Sequence, residues 1–164
     1  MPDSHLPGVE PDDFKAALGR WASGITVVTA AGNDGPVGLT VSAFSSLSLH
    51  PPLVLVCIGL ASWSHDQVVG APGFGVHLLG SGQEEVSNTF AFSREDRFKD
   101  LDWDESHHGV PRIKGSLATL VCERHQVVEA GDHSILIGRV LEATVTDDQP
   151  LCWWQGGYRR LVTD

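Results

Sequence analysis

Three short stretches hold the side chains best able to do chemistry. The first, GLTVSAFSSLSLHPP over residues 38–52, sets Thr40, Ser42, Ser45, Ser46 and Ser48 at close intervals and then runs into the apolar LVLVCIGL. So many hydroxyls are out of place in an ordinary buried strand. They suit either a polar ligand that needs short donors and acceptors along an exposed backbone, or a serine-rich turn whose hydroxyls bond their own backbone. The second, ASWSHDQVV over residues 61–69, offers Ser62, Ser64 and the free N–H groups of a helix start, which together suit an anion, with His65 as a source of positive charge. A plain N-cap at Ser64 and an exposed helix-start imidazole at His65 are the structural alternatives. The third, GDHS over residues 131–134, places His133 in a turn behind Asp132, whose carboxylate can shape the turn or orient the ring.

Other chemistries find little support. No G-x-G-x-x-G joins a strand to a helix and no G-x-x-x-x-G-K-[ST] occurs, so neither a Rossmann site nor a P-loop is expected. His107 and His108 are adjacent but lack the spaced His or Cys partners of a metal centre, and a solvated loop is the expectation there. Cys57 and Cys122 lie in apolar strands, where burial raises a thiol pKa and favours packing over nucleophilic attack. The three cysteines include no C-x-x-C pair and follow no secretory apolar region, which fits a reducing cytoplasm. With 21 acidic against 11 scattered basic residues and a formal charge of −10, the surface repels a phosphate backbone, and no nucleic-acid partner is expected. The longest apolar run, Leu53 to Ala61, is too short for a membrane span.

These residues need elements to position them. At 164 residues the chain is expected to form one domain over 11–164 after a flexible lead of residues 1–10. PDDFKAALGRWA spaces Phe14, Ala17, Leu18 and Trp21 as one apolar face of a helix. ITVVTA, the reversal AGNDGP and the strand after it predict a hairpin. LVLVCI reads as a central strand covered on both faces, and FGVHLL as a strand of the same sheet. Ser64 heads a short turn over HDQVV, while Ser81 and Glu84 have capping-box spacing ahead of QEEVSNTFAF. Residues 93–115 read as a long charged loop lying over the site. SLATLVCERHQVVE and SILIGRVLEATVT predict two long strands around the 130–132 turn, and an antiparallel barrel closed on itself would spare them exposed edges.

Taken in order, GITVVTA, GLTVSAFSSLSLHPPLVLVCI, SWSHDQVV, FGVHLL, GVPRIKGSLATLVCE, GDHSILIGRV and PLCWWQGGYRRL closely resemble the flavin reductase-like, FMN-binding split-barrel family over most of the chain. The resemblance implies a mainly β fold with peripheral helices, an antiparallel split β-barrel. It implies an NAD(P)H:flavin oxidoreductase that transfers hydride from NADH or NADPH to FMN or FAD and supplies a partner monooxygenase with reduced flavin. A non-enzymatic flavin-delivery protein and a flavin oxidase with an organic substrate are alternatives on the same barrel. The implied flavin-binding positions are Thr40, Val41, Ser42, Ser45, Ser46 and Cys57, with Ala61, Ser62, Ser64, Gln83, Phe90 and Tyr158, and His133 is implied beside the nicotinamide. Arg94, Arg97 and Lys99 are the candidates for a 2′-phosphate. Trp21, Trp153 and Trp154 add more large apolar surface than one small core covers, so a homodimer is expected, with those of the last pair either under the partner or at the flavin edge.

Overall fold

Pro11 at the first helical position and Asp12 and Asp13 in the first turn start the first helix, as missing N–H groups and the helix dipole favour. In this computed structural model, which describes residues 8–93 and 96–162, that helix is α1 (Pro11–Leu18). Residues 1–7 of the expected lead, and Arg94, lie outside the described residues. The helix stops at Gly19, short of Trp21, and buries nothing: Phe14 and Leu18 are 53% and 56% exposed. Its apolar face is real but turned away from this chain's own core.

The chain continues through β1 (Ser23–Gly24), β2 (Thr26–Gly32), β3 (Gly35–Val41), β4 (Phe44–Ser48), β5 (Leu53–Gly59), α2 (His65–Gly70), β6 (Gly73–Leu78) and α3 (Glu84–Phe92). It ends with β7 (Trp103–Glu105), β8 (Pro111–Ile113), β9 (Ala118–Ala130), β10 (His133–Val145), β11 (Cys152–Trp154) and β12 (Gly157–Arg159). Seven strands form one antiparallel sheet in the order β3-β2-β6-β9-β10-β5-β4. The expected hairpin is β2–β3, with Gly35 at φ 130°, a conformation that favours glycine, closing the reversal.

Alternation along these strands sends one set of side chains inward, and Val28, Leu39, Val41, Val56, Phe74 and Leu136 meet in a common core. Residues from both edge strands, Val41 and Phe44, pack into it, so the sheet curls on itself. Its edges, β3 and β4, are not paired with each other; only Ser42 and Ala43 join them, and Cys57 N–H donates to the Ala43 carbonyl at 3.0 Å. The expected closure by a continuous ladder is therefore replaced by an open seam. Nor is β5 covered on both faces: Val54, Val56 and Ile58 are buried, while Leu53, Leu55 and Cys57 remain partly exposed.

A second apolar cluster forms where Val27 of β2 packs with Leu79, Phe90, Phe98, Ile113 and Leu151 from outside the sheet. Residues 93–115 are thus more than a charged loop. They carry the β7–β8 hairpin, and Phe98 sits edge-on to Phe90 at 5.1 Å and to Trp103 at 5.5 Å. Thr29 Oγ1 fastens the hairpin by donating to the Pro111 carbonyl at 2.6 Å. The capping box at Ser81 does not form; α3 begins after Gln83, whose Oε1 accepts from Gly80 N–H at 2.9 Å. Helix α3 lies close on β3 because Gly38 has no side chain. A Cβ there would come within 2.8 Å of the Phe90 ring and 2.9 Å of the Val28 carbonyl.

Candidate active site

Where β3 and β4 part, a cleft of about 610 Å³ opens, within the range of sites that hold cofactor-sized molecules. The end of β3 supplies Thr40 and Val41, and the seam supplies Ser42 and Ala43. From β5 and the turn after it come Cys57, Gly59, Ala61, Ser62 and Trp63. Phe90 and Phe92 close one side from the end of α3, Arg97 follows them, and His133 stands at the start of β10. Nine sequence-predicted positions, Thr40, Val41, Ser42, Cys57, Ala61, Ser62, Phe90, Arg97 and His133, drawn from distant parts of the chain, thereby face one space.

Local pairing explains how they are held. Thr40 Oγ1 donates to the Ser87 carbonyl at 2.7 Å, pinning β3 to α3. Strand β10 runs beside β5 with His133 opposite Gly59, and Leu60 N–H donates to the Asp132 carbonyl at 2.9 Å. His133 Nδ1 lies 2.7 Å from Asp132 Oδ1, so Nδ1 carries the proton and donates, leaving Nε2 for a ligand. That bond, and then the charge of His133, hold the Asp132 carboxyl below its usual range. A Cβ at Gly59 would lie 3.6 Å from Nε2. Arg97 Nη1 donates to the Gly38 carbonyl and Nε to Ser93 O at 2.8 Å, with the guanidinium 5.5 Å from the Trp63 ring centroid. Partial burial lowers the Arg97 pKa, and among the described residues Arg97 is the one Arg or Lys that lines the cleft.

Other expected positions lie elsewhere. Ser64 is fully buried, caps nothing, and donates to the Gly38 carbonyl at 3.2 Å. His65 is buried too, bridging Asp66 Oδ1 at 2.8 Å and Ser134 Oγ at 2.9 Å, so it ties α2 to β10 and does not line the cleft. Gln83 is spent on Gly80, and Tyr158 O–H donates to Asn88 Oδ1 at 2.7 Å, bracing α3 from behind. Ser46 bounds neither this cleft nor its neighbour, and the exposed Lys99 is likewise outside the cleft.

Ser45 lines the neighbouring groove, of about 550 Å³, with Leu18, Trp21, Phe44, Leu55 and Trp153. The groove shares Ser42, Ala43 and Cys57 with the cleft, so the two are separated by a single layer of chain. Trp153 therefore belongs to the apolar groove, edge-on to Tyr158 at 5.1 Å, while Trp154 Nε1 donates to the Arg20 carbonyl at 3.2 Å. Sequence reasoning missed Trp63 and Phe92. Phe92 is the last residue of α3 and exposed, off the apolar positions that periodicity marks. Trp63 sits in an irregular turn that no periodicity marks.

The cleft fits a flavin by the chemistry of its lining: hydroxyls and exposed backbone for the pyrimidine edge and ribityl chain, aromatic and aliphatic walls for the ring system. Comparison with known proteins agrees. The chain is 43% identical over 165 residues to the "FMN reductase (NADH) SmoA" of Agrobacterium fabrum, covering 98% of this chain and 94% of that protein. It is 40% identical over 147 residues to the reductase component of the flavin-dependent trigonelline monooxygenase of Acinetobacter baylyi, spanning 89% of this chain but 47% of that longer protein. The solved structure of the Streptomyces globisporus NADH:FAD oxidoreductase SgcE6 in complex with NAD and FAD fragments superposes with a TM-score of 0.89 at 36% identity, covering 97% of this chain and 99% of that one. Residues 18–162 match the family described as flavin reductase like domain, and the chain belongs to that family.

Proposed function

We propose that this chain is an NADH:flavin oxidoreductase that reduces FMN or FAD and supplies the reduced flavin to a monooxygenase component. The convergence of Thr40, Val41, Ser42, Cys57, Ser62 and His133 on one cleft at the barrel seam carries the reading. A bound flavin supplies N5 as the hydride acceptor and the dihydronicotinamide supplies the hydride, so the transfer asks little acid or base of the chain. What the chain contributes is placement. Ser42, Ala43 and Ser62 offer short donors and acceptors along one wall, while Val41, Cys57 and Phe90 give the ring system an apolar surface. His133, oriented by Asp132, presents Nε2 to the nicotinamide carboxamide, accepting its amide N–H while neutral and donating to its carbonyl when protonated. NADH is the donor chosen because the relatives SmoA and SgcE6 are named for it, while Lys99 lies outside the cleft.

The working unit is a homodimer. Trp21, 77% exposed, and Leu18 flank an apolar groove continuous with the cleft through Ser42, Ala43 and Cys57, so a second copy seated there would complete the site. Residues 11–164 act as one domain, and the free thiols Cys57, Cys122 and Cys152 suit a reducing cytoplasm. Mixing the protein anaerobically with NADH and FMN or FAD tests the activity directly. Bleaching of the flavin absorbance is the expected result; flavin that binds and stays oxidised would leave only a carrier.

A further inference from the structure

The indole of Trp63 stands at the mouth of the cleft, 68% exposed, and the Arg97 guanidinium lies 5.5 Å from its ring centroid on one face. Arg97 is itself held by the Gly38 and Ser93 carbonyls, so the cation fixes the indole's orientation and leaves its other face to solvent. Phe92, 80% exposed, borders the same cleft from the end of α3. Leaving two large aromatic rings in water at a hydroxyl-lined opening forgoes a favourable burial, unless a flat apolar group covers them when ligand is bound. The far side of Arg97 is a small hollow bounded by Glu85, Asp96 and Asp100, which repels anions. Among the described residues, the cleft side is therefore the face of this guanidinium that suits a phosphate.

We propose that this rim is an adenosine subsite: Trp63 stacks the adenine of a bound dinucleotide on its uncovered face, and Arg97 meets the pyrophosphate that joins the adenosine to the reacting half. The inference rests on the proposed function, which brings two dinucleotides, FAD and NADH, to this cleft with the same adenosine diphosphate group. An indole suits adenine because a neutral flat base stacks on it without desolvating a charge.

Titration calorimetry on Trp63→Ala and Trp63→Phe tests the subsite with two ligand pairs that differ only by the adenylate: FAD against FMN, and NADH against reduced nicotinamide mononucleotide. In Trp63→Ala the adenosine-bearing member of one pair is expected to weaken about five- to thirtyfold more than its partner, as loss of one base–aromatic stack predicts, with Trp63→Phe recovering most of it. The pair that responds names the source, FAD or NADH. Equal weakening within both pairs, or none in either, overturns the subsite. Flavin bleaching by the wild type is scored separately: a protein that binds both dinucleotides selectively through Trp63 and passes no hydride loses the proposed activity and keeps the subsite, whereas one that binds none of the four loses both.

Discussion

His133 stands directly opposite Gly59 across the β10–β5 ladder, and its Nε2 overhangs the position that a side chain at residue 59 would fill. The imidazole therefore reaches the cleft floor with one nitrogen spoken for by Asp132 and the other open. His133→Asn keeps a hydrogen-bonding group but cannot become cationic, and it is expected to slow anaerobic single-turnover flavin reduction roughly ten- to a thousandfold while changing flavin affinity far less. A loss seen only as a higher KM for NADH would assign His133 to uniform binding; one in the limiting rate assigns it to ring alignment or developing charge.

Ser42 borders the cleft at the seam, whereas Ser46 lies two positions beyond the groove residue Phe44 and borders neither space. Ser42→Ala should accordingly weaken flavin binding by about 0.5 to 1.5 kcal/mol, the worth of a hydrogen bond, and by more than Ser46→Ala does. Equal effects of the two substitutions in a flavin titration would remove Ser42 from the site.

Strand identity was legible because period-two alternation and turn residues are local properties: β2–β3, β5, β6, β9 and β10 all fall on segments that read as strands. The site was legible only in part. Thr40, Ser42 and Ser62 face the cleft, but Ser64, two residues from Ser62, turns inward because Gly38 offers its carbonyl from another strand. Sequence spacing cannot reveal such a long-range partner. For the same reason Gln83 and Tyr158 stand outside the cleft, each being drawn off by a backbone or side-chain partner that only the folded packing brings near. The 93–115 segment was misread because Phe98 and Trp103 stand among charges with no periodic spacing, and the burial of Phe98 depends on its packing against Phe90 and Trp103.

Helix α1 carries the other lesson, that an apolar face need not be satisfied within one chain. With Trp21 and Trp153 it borders a groove whose covering by a second copy would explain why Phe14 and Leu18 stay exposed. Light scattering is expected to give twice the chain mass, and Trp21→Glu to shift the protein toward monomer by burying a charge without a partner. Since the groove adjoins the cleft, flavin reduction should fall in parallel. A Trp21→Glu monomer reducing flavin at the wild-type rate would separate assembly from the site.

His77 sets the expected response to acid. It is fully buried on β6, its Nδ1 donates to the Val27 carbonyl at 3.0 Å, and Nε2 has no hydrogen-bond partner among the described residues. Burial, opposed by the Val27 hydrogen bond and aided by the positive charge of Arg112, lowers its pKa to about 4. An unfolded histidine titrates near its ordinary value of 6.5, so below that pH the unfolded chain takes up a proton that the folded one refuses. The contribution is therefore intact above pH 6.5, is lost progressively as the pH falls to about 4, and is constant below that. A shift of this size is worth about 3 kcal/mol at most. His77→Asn retains a donor for the Val27 carbonyl and has no proton to gain, so its stability should fall less steeply over the same interval. Urea denaturation of both proteins at neutral pH and near pH 4 measures the difference. A gap between them that stays constant across that window would mean that another group, and not the buried imidazole on β6, governs the acid response.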